Sequence, residues 1–133
     1  MKTQFKILLI ITLFFFISCD NDENSNPELV SSWKLIENLA DPGGGSGTFQ
    51  TVESEKVINF YNDGTVSSNG SLCDMSINSD NSTSGTYSSS ELTFSSSDCT
   101  NTELEYSYEI NGSFLIVDYP CFEPCRSKYS LIE

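Results

Sequence analysis

The residues with the most distinctive chemistry in this sequence are its five cysteines, which stand at Cys19, Cys73, Cys99, Cys121 and Cys125. Because five is an odd number, at least one of these thiols has no partner within the chain. Cys19 differs from the rest in its surroundings, since it directly follows a long apolar run and directly precedes a polar, acidic segment. Cys19 is therefore the cysteine whose role is expected to lie outside disulfide formation.

The first 18 residues have the layout of an export signal. Lys2 and Lys6 form a small positive region, and residues 7–17 carry no charge. A helix over that apolar run is about 16 Å long, whereas a bilayer core of about 30 Å requires about 20 apolar residues. The run is too short to span a membrane, so we predict a signal peptide over residues 1–18.

The end of this segment, Phe16-Ile17-Ser18-Cys19, resembles the lipobox of bacterial lipoproteins. In that family a bulky apolar residue, a smaller residue and Gly, Ala or Ser precede an obligatory Cys. The resemblance implies that the Cys19 thiol carries a diacylglyceryl group, that the chain is cut before it, and that the new amine is acylated, with palmitate as a typical chain. Two or more acyl chains hold a protein stably to a membrane, so Cys19 is the expected membrane anchor.

The segment behind Cys19, residues 19–28, is polar and acidic and is predicted to be a flexible tether. The whole chain has 6 basic and 19 acidic residues and a net charge of −13, which argues against nucleic acid as a partner, because phosphate contacts need Lys and Arg. The acidic run also resembles a signal that sends lipoproteins of one large Gram-negative group to the outer face of the outer membrane. We expect a lipid-anchored protein of the cell envelope at the outer membrane, with surface exposure as the hypothesis and a merely solvated linker as its alternative.

The other four cysteines are expected to form two disulfide bonds, because exported chains with an even number of cysteines usually pair them. Cys121 and Cys125 are close enough in sequence for a local bridge. Cys73 paired with Cys99 would close a longer loop, worth about 3 kcal/mol in the chain-entropy description. We prefer this connectivity among the three that exist. A zinc site of four cysteines is disfavoured, because paired C-x2-C knuckles are absent, and no metal or cofactor is predicted.

The composition argues against catalysis. The chain has no histidine, which removes the commonest general base together with Ser-His-Asp and Cys-His sites. Carboxylate pairs for glycoside hydrolysis remain, but the acidic residues are scattered. The loop Asp41–Gly47 is rich in glycine, but it lacks the Lys-Ser/Thr ending of a phosphate loop and no helical pattern follows it. We therefore expect a protein that is not an enzyme.

Three hairpins are predicted in the body of the chain, where apolar residues recur with a period of two. Asn111-Gly112 predicts a two-residue type I′ turn that places Tyr108 opposite Leu115. A three-residue loop, Asn62-Asp63-Gly64, is favoured because it places Val66 opposite Phe60. The third hairpin has a serine-rich turn and is expected to carry Leu92 and Phe94 on its inner face.

These hairpins belong to about eight short strands with short connections, which predict an all-β domain over residues 29–133. An antiparallel up-and-down barrel fits this pattern, because closure removes the edges of the sheet. A two-sheet β-sandwich is the alternative. The residues predicted to face the barrel interior, and any ligand within it, are Trp33, Leu35, Ile58, Phe60, Tyr106, Tyr108, Leu115, Val117 and Tyr129.

The first strand carries a family resemblance. LVSSWKL, residues 29–35, is similar to the Leu-x-Gly-x-Trp-x-Leu opening of lipocalin-like lipoproteins, with Ser31 in place of the usual Gly. Phe-x-x-Asp-Gly-Thr-Val at Phe60–Val66 is frequent in the same group. The resemblance implies a calycin-like barrel in which Trp33 plugs one end and the interior binds a small apolar ligand. Large inward Tyr and Phe residues favour the alternative, a filled barrel that serves as an interaction or structural module in a surface complex.

Overall fold

The computed structural model of this protein describes residues 29–132 of the chain. Those residues form strands and connecting loops, and no helix occurs between Leu29 and Ile132. The strands are β1 Ser32–Ala40, β2 Gln50–Thr51, β3 Val57–Phe60, β4 Thr65–Ser68, β5 Thr83–Ser88, β6 Thr93–Ser95, β7 Tyr106–Asn111, β8 Phe114–Tyr119 and β9 Cys125–Ile132.

The pairing of β1 with β9 closes the sheet into a barrel. Every pairing is antiparallel, the strand order is β2-β1-β3-β4-β5-β6-β7-β8-β9, and β1 also pairs with β9 from Ser32↔Ile132 to Ala40↔Cys125. The predicted up-and-down barrel of eight strands is confirmed, and the β-sandwich alternative is wrong because one continuous sheet closes on itself. The ninth strand, β2, adds two residues on the side of β1 where β3 pairs.

The hairpin between β3 and β4 has the predicted three-residue loop. Phe60 pairs with Val66, and Gly64 has a φ of +82°, which a residue with a side chain adopts only at a cost. Asp63 accepts hydrogen bonds from the amide and the hydroxyl of Thr65 and so fixes the exit from the loop.

The predicted register of the β7–β8 hairpin is wrong. Tyr108 pairs with Val117 instead of Leu115, and Asn111 is the last paired residue of β7, opposite Phe114. The reason lies in the turn: Gly112 has a φ of +61° and Asn111 keeps a negative φ, so the turn is Gly112-Ser113 with positive φ at its first residue only. That is the pattern of type II′ rather than type I′. The partner of Tyr108 moves by two positions, so the same side chains still face inward.

The inward placement of Leu92 is also wrong. Leu92 lies in the turn over residues 89–92, has a φ of +56° and is 43% exposed. Phe94, two residues later, is buried as predicted. The chain reaches its pleated strand conformation only at Thr93, so the alternation of side chains does not extend back to Leu92.

The two ends of the barrel are unlike. One end, here called the turn end, carries the short connections and the first described residue, Leu29, whose carbonyl accepts a hydrogen bond from Trp33 Nε1 at 3.1 Å. Trp33, the second residue of β1, is buried near this end. The opposite end, here called the loop end, carries the four longer connections, which are residues 41–49, 69–82, 96–105 and 120–124.

Candidate functional site

The barrel interior is filled by side chains. Each residue of the predicted interior set is at most 3% exposed; these are Trp33, Leu35, Ile58, Phe60, Tyr106, Tyr108, Leu115, Val117 and Tyr129. Leu29, Val66, Leu72 and Phe94 join them in the same hydrophobic core. Period-two alternation of the strands brings all of these side chains to one face of the closed sheet.

The aromatic members of this core form a continuous series of ring contacts. Phe60 and Tyr108 lie 5.4 Å apart between ring centroids, and Phe94 lies 5.2 Å from Tyr106. Tyr106 in turn lies 6.0 Å from Tyr119. Since a barrel of eight strands is just wide enough to be filled by its own side chains, these rings occupy the space that a ligand inside the barrel would need.

A polar network lies within the core toward the loop end. The hydroxyl groups of Tyr119 and Tyr129 are 3.3 Å apart, and Ser127 donates a hydrogen bond to Asn38 at 2.6 Å. Asn38 donates in turn to the carbonyl of Met75 at 2.9 Å, which ties the 69–82 loop to the barrel. Burial raises the pKa of Tyr119 to about 12 and that of Tyr129 well above its usual value. Both phenols therefore stay neutral and act as hydrogen-bonding groups of the core.

Lys56 is a buried charged residue next to the candidate site that the sequence analysis missed. Its side chain is fully buried, and its ammonium donates hydrogen bonds to the carbonyls of Asp74 at 3.1 Å and Ser76 at 3.0 Å. Burial lowers the Lys56 pKa to about 8, and the Asp74 charge opposes that shift. The period of two could have predicted its burial, because Lys56 lies on the same inward face as Ile58 and Phe60.

Two disulfide bonds hold the loop end, with the predicted connectivity. Cys73–Cys99 joins the 69–82 loop to the 96–105 loop with a Cα–Cα distance of 5.5 Å. Cys121–Cys125 closes the connection between β8 and β9 with a Cα–Cα distance of 6.0 Å. Both predicted bridges are confirmed. Across residues 29–132, no group of three or more His, Cys, Asp or Glu side chains is placed to hold a metal ion.

A pocket of about 420 Å³ opens between these loops. This loop-end pocket is lined by Cys73, Asp74, Met75, Cys99, Thr100, Asn101, Leu104, Tyr106, Tyr119, Pro120, Cys121 and Cys125. Four of its lining residues belong to the hydrophobic core, Cys99, Tyr106, Tyr119 and Cys125, so the pocket lies directly on the filled interior. Of the predicted interior set, only Tyr106 reaches it.

The glycine-rich loop over Asp41–Gly47 is organised by its own aspartate. The Asp41 carboxylate accepts hydrogen bonds from the amides of Gly43 at 2.8 Å and Gly47 at 3.0 Å. These backbone hydrogen bonds, first that of Gly47, hold the pKa of Asp41 below its usual value. The glycine amides that a phosphate loop would turn toward a ligand are thus used within the loop.

Cys19, the predicted lipid attachment site, lies outside the described residues, as do the predicted signal peptide over 1–18 and the tether over 19–28. Within residues 29–132, no helix is long and apolar enough to cross a membrane. No protein-family model, curated protein or solved structure matches this chain. The fold and the site define a small closed β-barrel with a filled core and an open pocket at one end.

Proposed function

We propose that this protein is a non-catalytic, lipid-anchored binding module of the bacterial cell envelope that presents its loop end to partners. The observation that carries the proposal is the asymmetry of the barrel. Leu29, the first described residue after the predicted tether, lies at the turn end, whereas the pocket and both disulfides lie at the loop end. An anchor at Cys19 would therefore join the barrel at the end opposite the pocket, which leaves the loop end free to face away from the membrane.

The filled interior favours the interaction module over a carrier of a small apolar ligand. An interior ligand would have to displace Tyr106, Tyr108 or Tyr129, each of which is at most 3% exposed. Opening such a cavity costs several kcal/mol, about 3–5 for the loss of one large aromatic side chain from a core. Binding at the loop end needs no such opening.

Phe122 supports the loop end as a contact surface. It lies inside the five-residue ring closed by Cys121–Cys125, and its side chain is fully exposed. Aromatic anchors often dominate the free energy of protein–protein binding. The disulfide fixes the backbone on both sides of Phe122, so little conformational entropy is lost when a partner orders this loop.

Photo-crosslinking in intact cells tests the proposal. A photoreactive phenylalanine analogue replaces Phe122 at the loop end, and in a matched variant it replaces Phe114, which is 42% exposed at the turn end. We expect a discrete crosslinked envelope component from position 122 and none from position 114. Equal crosslinking from the two positions, or none from position 122, would contradict the assignment of the loop end.

A further inference from the structure

Two tyrosine rings in the loop-end pocket help to define the kind of ligand that it would bind, if the loop end is the binding surface of the proposed function. The rings of Tyr106 and Tyr119 have centroids 6.0 Å apart and planes at 66° to each other. They form a corner rather than a flat stack. Tyr106 also stacks on Phe94 at 5.2 Å between ring centroids, so these rings form a packed apolar floor of the pocket, and a charged ligand would need an acidic group beside them.

Asp74 supplies the negative charge of this pocket. One oxygen of its carboxylate accepts the Ser76 amide at 2.8 Å, and its other oxygen accepts no hydrogen bond from any residue between 29 and 132. Burial, and then the Asp74 charge, raises the pKa of the Tyr106 phenol. The carboxylate therefore lies within electrostatic reach of that phenol, and the Tyr106 hydroxyl stays protonated.

The hydroxyl of Tyr106 has no hydrogen-bond partner among residues 29–132. Tyr106 is 2% exposed, and no residue in the described part of the chain forms a hydrogen bond with its phenol oxygen. The Tyr106 phenol oxygen keeps contact with solvent at the pocket, whereas the neighbouring Tyr119 has the Tyr129 hydroxyl at 3.3 Å. A ligand N–H group in the pocket would complete the hydrogen bonding of Tyr106.

Each basic side chain in the described part of the chain already has a partner, so none is free to bind an anionic ligand. Lys34, Arg126 and Lys128 each form an ion pair with a carboxylate. Lys56 is buried, with its ammonium on the carbonyls of the 69–82 loop. Together with the net charge of −13, this means that the field around the pocket attracts cations and repels anions.

We propose that the loop-end pocket binds an organic cation, an ammonium or guanidinium group carried on an apolar body. Asp74 faces the charge, the rings of Tyr106 and Tyr119 pack against the apolar part, and the Tyr106 hydroxyl accepts an N–H group. The pocket volume of about 420 Å³ lies within the range of small-ligand sites. Two sources share this chemistry, a free small amine and the Lys or Arg side chain of a protein partner.

The test is a titration of the mature full-length protein in neutral detergent. Binding is monitored by ligand-observed NMR, and protein-free micelles serve as the blank. Phenethylammonium is compared with 2-phenylethanol, which has the same shape without the charge. We expect the amine to bind about tenfold more tightly than the alcohol, and we expect its affinity to fall with added salt.

The variants test the residues of the pocket. Asp74→Asn should remove the preference for the amine, and Tyr106→Phe should lower the affinity for the amine by about threefold or more. Asp80→Asn is the control, since it removes one charge from the same loop outside the pocket, and it should keep the preference.

The source of the cation is decided by two further probes, N-acetyl-lysine methylamide and N-acetyl-arginine methylamide. Binding of either probe as tight as that of phenethylammonium assigns the pocket to a partner side chain, and binding of phenethylammonium alone assigns it to a free amine. The inference is overturned if the alcohol binds as tightly as the amine, if Asp74→Asn and Asp80→Asn behave alike, or if no probe binds. These results use purified protein, so they are independent of the crosslinking from Phe122 in cells.

Discussion

The buried ammonium of Lys56 donates a hydrogen bond to the main-chain carbonyl of Asp74 across 3.1 Å. This contact joins the inner face of the barrel to the loop that forms one wall of the pocket. A side chain at Gly70 would clash with the Asn78 carbonyl oxygen and press on the Lys56 Cγ, at 3.1 Å, so the glycine lets the loop pack closely on itself and on the lysine stem. The 69–82 loop is therefore positioned by a buried charge as well as by the Cys73–Cys99 bridge.

Replacement of Lys56 by Met should destabilise the protein by about 1–3 kcal/mol, because the carbonyls of Asp74 and Ser76 lose their donor. Urea unfolding with the disulfides intact measures the change. Lys34→Met is the matched control, since Lys34 pairs with the exposed Glu55 and such surface pairs contribute about 0–1 kcal/mol. Equal losses for the two variants would refute the anchoring role of Lys56.

The pKa of Lys56 also predicts a pH dependence. Its folded value of about 8 lies below its ordinary value of 10.5, so between those values the unfolded chain binds more protons than the folded chain. The free energy of unfolding should therefore rise with pH from about 8 toward 10, with a slope of at most about 1.4 kcal/mol per pH unit. Above pH 10, the raised pKa values of Tyr119 and Tyr129 act in the opposite direction. Lys56→Met should lack the rise between pH 8 and 10, and a rise of the same size in that variant would exclude Lys56 as its source.

Position 92 should favour glycine over alanine. Its φ of +56° costs a residue with a Cβ about 1 kcal/mol relative to glycine. Leu92→Gly should accordingly be more stable than Leu92→Ala by about that amount, as measured by thermal unfolding. The alanine variant controls for the loss of the partly exposed side chain, and an alanine variant as stable as the glycine variant would show that the turn is unstrained.

The two disulfides should contribute unequally. Cys73–Cys99 spans a sequence separation of 26, and Cys121–Cys125 spans only 4. In the chain-entropy description the longer loop gives about 3–4 kcal/mol and the shorter about 2. We expect the double alanine variant at 73 and 99 to unfold at lower urea concentration than the double variant at 121 and 125. The reverse order would show that loop closure does not govern their contributions.

The sequence predicts the fold class and the interior well because both depend on the period of two. The register error at Asn111 left the inward face unchanged, since a shift of the partner by two positions preserves the alternation. Leu92 shows where the pattern ends, because a turn residue does not follow the pleat. The position of the pocket depends on which loops share an end of the barrel, and only the closed strand order determines that.

The buried lysine shows a second limit of prediction from the sequence. Lys56 falls on the inward face by alternation, but a lone charged residue in an apolar strand has no visible partner in the sequence. Its acceptors are main-chain carbonyls of Asp74 and Ser76, 18 and 20 residues away. Backbone groups carry no residue-type signal, so only the folded loop reveals them.

The most direct test of the proposed anchored module is mass spectrometry of the N-terminal peptide from the mature, membrane-extracted protein. The proposal predicts a peptide that begins at Cys19 and carries a diacylglyceryl group on its thiol and an acyl chain on its amine. Cys19→Ser should leave the protein unlipidated and release it from the membrane fraction. A mature chain that begins elsewhere, or an unmodified Cys19 thiol, would contradict the anchor and with it the orientation of the loop end away from the membrane.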